Sequence, residues 1–345
     1  MREKQDRSAI GLKEIASACN VSLMTVSRAL REKSSIRQET RSFILKKAEE
    51  MGYFRYPRKG RPAAVQASIA NQVQLIFGNA GGSMFSFQMC LLTAVEQQLA
   101  SAGFECIMRT CDGDFASFVR LLESVRLDRS QATILLGYFC PEQLEQLLMA
   151  IPGALLLDNT VRSAYRGKVS SFSFDNRRAA YLGVDHLIQL GRKKILLVAG
   201  ERENFFSSDL LAGYKEALAD NKLEYDPQMV VYADFSASRA AEEVRKFIQK
   251  EIEFDAIFTN DEMATGVYHI LQESKIAIPE QVAVCGCDNL PIGSLLYPKL
   301  STIVLDYNEL TACAVKHILS RKSSSDFIDI KLPPVLCVRN STEVQ

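Results

Sequence analysis

Apolar positions along this chain recur with two different periods. Over residues 11–30, GLKEIASACNVSLMTVSRAL, the spacing is helical: Leu12, Ile15 and Ala16 stripe one short helix, Val26 and Leu30 a second. Val21 sits beneath the turn between them. That turn needs a residue tolerant of positive φ, and Asn20 is one of the few non-glycine types that supplies it. Ser22 stands where the second helix wants an N-cap. The outer face of that helix carries Leu23, Met24, Thr25, Ser27 and Arg28, which meet base edges when such a helix lies in a major groove. A polar loop and a third helix over about 37–51 follow, with Phe43, Ile44, Ala48 and Met51 on its packed side and Gly52 at its end.

Residues 53–70, YFRYPRKGRPAAVQASIA, break the pattern with prolines and basic side chains. From residue 72 onward, short apolar runs alternate with longer amphipathic ones. The strand-like runs begin at 73–77 and end at 302–305; helices such as 87–101, 208–221 and 263–273 lie between them. Alternating β and α units predict parallel sheets covered on both faces. About ten strands exceed one comfortable core, so two α/β lobes are expected. The predicted organisation is a helix-turn-helix headpiece over 1–55, a basic linker over 56–71 and an α/β body over 72–345.

Charge sharpens that division. The chain has 41 basic and 41 acidic residues, yet residues 1–62 hold 15 Lys/Arg against seven Asp/Glu, and the remainder holds 26 against 34. A basic module on an acidic body is the asymmetry of a nucleic-acid binder with a separate regulatory part. Nine cysteines are scattered without a C-x-x-C pair, and three histidines add no metal-ligand spacing, so free thiols in a reducing cytosol are expected. The charged start, MREKQDRSAIG, does not read as a leader, and no apolar run suits a membrane span; the expected location is the cytoplasm. Enzyme signatures are missing too: no G-x-S-x-G, no phosphate-loop lysine motif and no G-x-G-x-x-G opening a helix. No catalytic residue, cofactor or metal is assigned.

Ligands of doubly wound sheets bind beyond the carboxyl ends of the strands. That rule selects Asn79, Asp158, Phe174 with Asp175, Asn260 with Asp261, Asp288, and Asp306 with Tyr307. Carboxylates and amides at so many strand ends suit a hydrogen-bonding ligand. Asp261 is expected to cap the helix after it, and Asp175 and Asp306 to cap or to bridge lobes.

The offsets of Ala16, Asn20 and Val26 are those of a helix-turn-helix, and Val21-Ser22-Leu23-Met24-Thr25-Val26-Ser27-Arg28 resembles the V-S-x-x-T-V-S-R signature of the lactose-repressor (LacI) family of bacterial regulators. The resemblance implies a three-helix headpiece joined to a two-lobed α/β domain of the type I periplasmic-binding-protein fold. Lobe 1 would span about 72–174 and 306–332, and lobe 2 about 175–305 and 333–345, with crossovers near Phe174, Leu305 and Leu332. It further implies a homodimer on a pseudo-palindromic double-stranded operator and a small-molecule effector, a sugar or sugar derivative, in the cleft. Positions matching Asp158, Asn260 and Asp288 contact effectors in the family, and those matching Phe174, Phe235 and Tyr307 line the pocket. Repression is the default outcome; an activator, or a regulator that has lost sugar binding, is the alternative, and a solute-binding protein a remote one.

Two departures stand out. The sugar-gripping Arg of sugar-responsive members is Leu210 here. The leucine-bearing hinge motif is absent; instead Pro57-Arg58-Lys59-Gly60-Arg61-Pro62 resembles an AT-hook core, so Arg58, Lys59 and Arg61 either enter an A·T-rich minor groove or make phosphate contacts alone. With no heptad-patterned tail after the last strand, a dimer is the expected state.

Overall fold

The computed structural model of the chain describes residues 12–29, 38–50, 71–79, 86–112, 115–128, 130–159, 168–321 and 327–343. They fall in two compact units, Met1–Val65 and Gln66–Gln345. In the first, α1 (Leu12–Ala18), α2 (Leu23–Ala29) and α3 (Gln38–Glu50) enclose a small core of Ile15, Ala16, Cys19, Val26, Ala29 and Ile44, with Val21 packed against it. Asn20 takes φ 51° in the turn. The Ser22 hydroxyl accepts the Thr25 backbone N–H at 3.1 Å, a cap worth about 1 kcal/mol. Phe43 departs from expectation: it is 55% exposed, while Ile44 is fully buried. Successive helical residues lie about 100° apart, so centring the buried stripe on Ile44 turns Phe43 outward.

The second unit alternates strand and helix: β1 (Gln72–Asn79), α4 (Ser86–Ser101), β2 (Glu105–Asp112), α5 (Phe115–Leu127), β3 (Ala132–Tyr138), α6 (Pro141–Ala150), β4 (Leu155–Leu157), β5 (Ser170–Phe174), α7 (Asn176–Gln189) and β6 (Ile195–Ala199). It continues with α8 (Phe205–Asp220), β7 (Val230–Tyr232), α9 (Ala237–Gln249), β8 (Ala256–Phe258), α10 (Asp261–Glu273), β9 (Ala283–Asp288), β10 (Ser301–Val304), α11 (Tyr307–Ser320), β11 (Asp329–Leu332) and β12 (Val335–Cys337). Two six-stranded sheets result, ordered β11-β5-β4-β3-β1-β2 and β12-β10-β9-β8-β6-β7. Pairing is parallel except between β10 and β12. Strands β4, β5, β6 and β9 are buried on both faces, which is why they read as unbroken apolar or small-residue runs.

Each sheet with its helices forms one lobe, and the chain passes between lobes three times: between β5 and α7, between β10 and α11, and between β11 and β12. Asp175 and Asp306 sit at the first two passages and cap the helices that follow, accepting from Arg178 N–H and Glu309 N–H, each at 2.9 Å. One continuous apolar cluster runs through both lobes beneath α4, α7, α8 and α11, and smaller ones fill the opposite faces under α5 and α6 and under α9 and α10. Helices α9 and α10 meet so closely that a Cβ on Gly266 would lie 1.7 Å from the Ala237 carbonyl oxygen. Among the described residues, no helix is long and apolar enough to cross a membrane.

Candidate functional site

On α2, Leu23 and Met24 are 46% and 62% exposed. Ser22 and Thr25 are exchanging a hydroxyl hydrogen bond of 2.8 Å beside them. Two large apolar side chains in water, on a helix whose other face is fully packed, make a surface suited to a partner. The side chains of Ser27 and Arg28 lie outside the described residues, as do Arg58, Lys59, Arg61 and the whole AT-hook-like run.

In the α/β unit the strand ends of the two lobes converge on a cleft of about 740 Å³, open solvent included. Gly78, Phe87, Gln88, Gly137, Tyr138 and Asp158 line it from lobe 1. Glu201, Asn204, Phe205, Phe206, Phe235, Asn260 and Asp288 line it from lobe 2. Backbone strain concentrates on this wall. Asp158, Phe235 and Asp288 take φ of 50°, 57° and 108°, conformations L residues avoid and bulky ones avoid most. Phe235 holds its place because Gly200 leaves room: a Cβ there would lie 2.2 Å from the ring. The Phe235 ring centroid is 5.9 Å from that of Phe206, tilted by 46°.

The amides are half-committed. Asn204 Oδ1 accepts the Phe206 N–H at 2.9 Å and caps α8, and Asn260 Oδ1 accepts the Met263 N–H at 2.9 Å and caps α10. What both offer a ligand is the N–H pair. Asn260 therefore takes the capping role expected of Asp261. The fully buried Asp261 carboxylate instead accepts from the Leu290 N–H at 2.7 Å and the Thr302 hydroxyl at 2.6 Å, tying α10 to the loop after β9 and to β10.

Four of the seven expected effector contacts, Asp158, Phe235, Asn260 and Asp288, stand on the cavity wall. The Asn79 side chain lies outside the described ones. Phe174 and Tyr307 stand behind the wall rather than on it: both pack edge-on against Phe87, at 6.4 and 5.5 Å, and against each other at 6.0 Å. Phe87 occupies the front because α4 delivers it from lobe 1 across the end of β5. Leu210 is buried in the apolar core. Among residues the sequence did not single out, Tyr138 ends β3 and obeys the same strand-end rule. Asn204 carries the signal of a polar cap before a helix. Phe205 and Phe206 carry no signal that distinguishes them from core aromatics.

Burial pushes the Asp158 carboxyl from 3.8 up to about 7. Burial first, then the negative charges of Asp261 and Asp158, hold the Asp288 proton well above the carboxylate range. For Asp158 the folded value exceeds the unfolded one, so the folded chain binds more protons in between and loses stability as pH rises from 3.8 to about 7. Asp158→Asn is expected to melt above the parent at about pH 8, by roughly 1 kcal/mol after solvent screening, and level with it near pH 4. A gap independent of pH in paired melting curves would show that the carboxyl is ordinary.

Comparison with known proteins agrees with this architecture. Residues 184–342 match the periplasmic binding protein-like domain, and residues 11–55 match the model of bacterial regulatory proteins, lacI family. Catabolite control protein A of Priestia megaterium is 25% identical over 336 residues, covering 96% of this chain and 98% of its own. The solved CelR–cellobiose complex superposes with a TM-score of 0.70 at 22% identity, over 96% of this chain and 99% of that one. The lac repressor dimer bound to operator and the anti-inducer ONPF does so with 0.70 at 21%, over 98% and 100%. Residues 11–55 thus match a lacI-family headpiece and residues 184–342 a periplasmic binding protein-like domain, the two parts of a DNA-binding transcriptional regulator with an effector domain.

Proposed function

We propose that the protein is a cytoplasmic repressor that acts as a homodimer on a pseudo-palindromic operator, released or tightened by a small molecule in the interlobe cleft. One observation carries the coupling. Asp288 lines the cavity, while its backbone carbonyl accepts a hydrogen bond from the Tyr307 hydroxyl of α11 in the other lobe. A second bond between lobes runs from the Ser86 N–H to Glu262 Oε2 at 3.1 Å. A ligand seated on Asp288 thus touches the residue on which the two lobes are tied, and its binding energy differs between lobe angles. A coupling of about 1–3 kcal/mol is ordinary for such a device.

At the operator, Arg28 is the candidate for bidentate contact with guanine, worth roughly 1–3 kcal/mol of discrimination. Leu23 and Met24 suit thymine methyls, and Ser22, Thr25 and Ser27 suit bases or nearby phosphates. Arg58, Lys59 and Arg61 add salt-dependent affinity and an A·T preference at the operator centre. In the cleft, Asp158, Asn260 and Asp288 hold the effector's polar groups and Phe235 its apolar face. Selection of bound duplexes from a random pool with the full chain tests this: two inverted half-sites about 10 base pairs apart are expected. Arg28→Ala should lose that preference while keeping non-specific binding. Recovery of a single unrepeated half-site, or equal losses on all sequences, defeats the dimeric base-reading model.

A further inference from the structure

We infer that the cleft takes a cationic effector, a compact hydroxylated ring bearing a protonated amine, of which an amino sugar is the simplest example. The inference rests on the cleft being the effector site, as proposed above. Three carboxyl side chains, Asp158, Glu201 and Asp288, line it, and no Lys, Arg or His does so among the described residues. The nearest arginine in sequence, Arg202, is committed elsewhere, stacked 4.3 Å over the Tyr232 ring.

Neither aspartate has a cationic partner among the described residues. The Asp158 carboxyl meets no hydrogen-bond donor among the described residues. Asp288 is 2% exposed, and its side-chain bond is to the Cys287 thiol, a weak neutral donor that supplies no counter-charge. Such a group buried without a counter-charge is costly to ionise; Asp261 nearby differs in being held by the Leu290 N–H and the Thr302 hydroxyl. The two aspartates therefore differ from a structural network: they line the cavity with no counter-charge of their own.

Charge decides among ligand classes. A phosphorylated or acidic ligand would bring negative charge to a wall of three carboxyl groups that offers it no cation among the described residues. A neutral hexose donates hydroxyl hydrogen bonds but supplies the acids no counter-charge. An ammonium among them stabilises their ionised forms directly. It also gains from the ring faces of Phe206 and Phe235, since aromatic rings attract cations. The N–H pairs of Asn204 and Asn260 then serve the ring oxygens, so the remainder of the ligand is a polyol.

The test is a thermal-shift and calorimetric comparison on the full chain. The probes are D-glucosamine, D-galactosamine and D-mannosamine, each beside its parent hexose, its N-acetyl form and its 6-phosphate. An amine is expected to raise the melting temperature by about 5 °C near saturation. N-acetylation, which keeps the ring and removes the charge, should weaken binding by about tenfold or more. Glu201→Gln, on the half-buried rim where folding is safe, and Asp288→Asn should each impose a similar loss on the amine alone. Equal or tighter binding of a neutral or phosphorylated twin overturns the cationic inference; if Gly200→Ala also abolishes that binding, the cleft stands as the effector site. No response to any amine overturns the inference as well. The cleft is then judged separately, by whether Gly200→Ala removes the response of operator binding to a metabolite extract.

Discussion

Val26→Asp is expected to abolish operator binding while the melting of the α/β unit stays where it was. Val26 is fully buried with Ile15 and Ile44 in a small core that comprises six buried side chains among the described residues. An aspartate there would sit among apolar side chains, and burying an unpaired polar group costs roughly 2–7 kcal/mol. A module this small holds no more than about 3–5 kcal/mol in reserve, so the headpiece unfolds. Calorimetry on the full chain, read beside fluorescence anisotropy with operator, separates the two units. Residual specific binding would mean that DNA itself folds the headpiece.

Gly200→Ala should cost the effector site about tenfold or more in affinity and leave operator binding of the free protein untouched. The added methyl would lie 2.2 Å from the Phe235 ring, so the ring must swing away. Phe235 is already held at φ 57°, which leaves few alternative backbone positions, and the space toward which the ring turns is the cavity. The stacking with Phe206, a contact of the kind worth about 0.5–1.5 kcal/mol, is lost at the same time. Binding isotherms for whichever ligand the parent takes, with circular dichroism as a control on folding, measure it. An unchanged affinity would show that Phe235 does not shape the site.

Much of this architecture was legible before any coordinates. The helix-turn-helix was written in Asn20, Ser22 and the buried pair Ile15 and Val26, because a tight turn and a small core admit few residue types. Parallel sheets were legible because doubly buried strands such as β4 and β6 must be apolar throughout. Strands β11 and β12 were harder: their residues are half-exposed edge positions, and alternation over three or four residues is too short to read. In the site, strand ends revealed Asp158, Asn260 and Asp288, since topology alone sends them to the cleft. Phe87, Phe205 and Phe206 stayed hidden because an aromatic at a helix start reads the same whether it fills a core or faces a ligand. For the same reason Phe174 and Tyr307 look like pocket residues until Phe87 is seen in front of them. Asp261 was misread as a cap because adjacent Asn and Asp compete for that role, and only the position of Thr302 and Leu290 decides which wins.

Four of the residues lining lobe 2, Glu201, Asn204, Phe205 and Phe206, come from six consecutive positions. Their conformation is set locally by the Asn204 cap on α8, not by the lobe-to-lobe bonds of Tyr307 or Ser86. Ligand chemistry on that side is therefore a cassette, separable from the lever it works. Transplanting this short loop between relatives would change what such a regulator hears without altering how it answers.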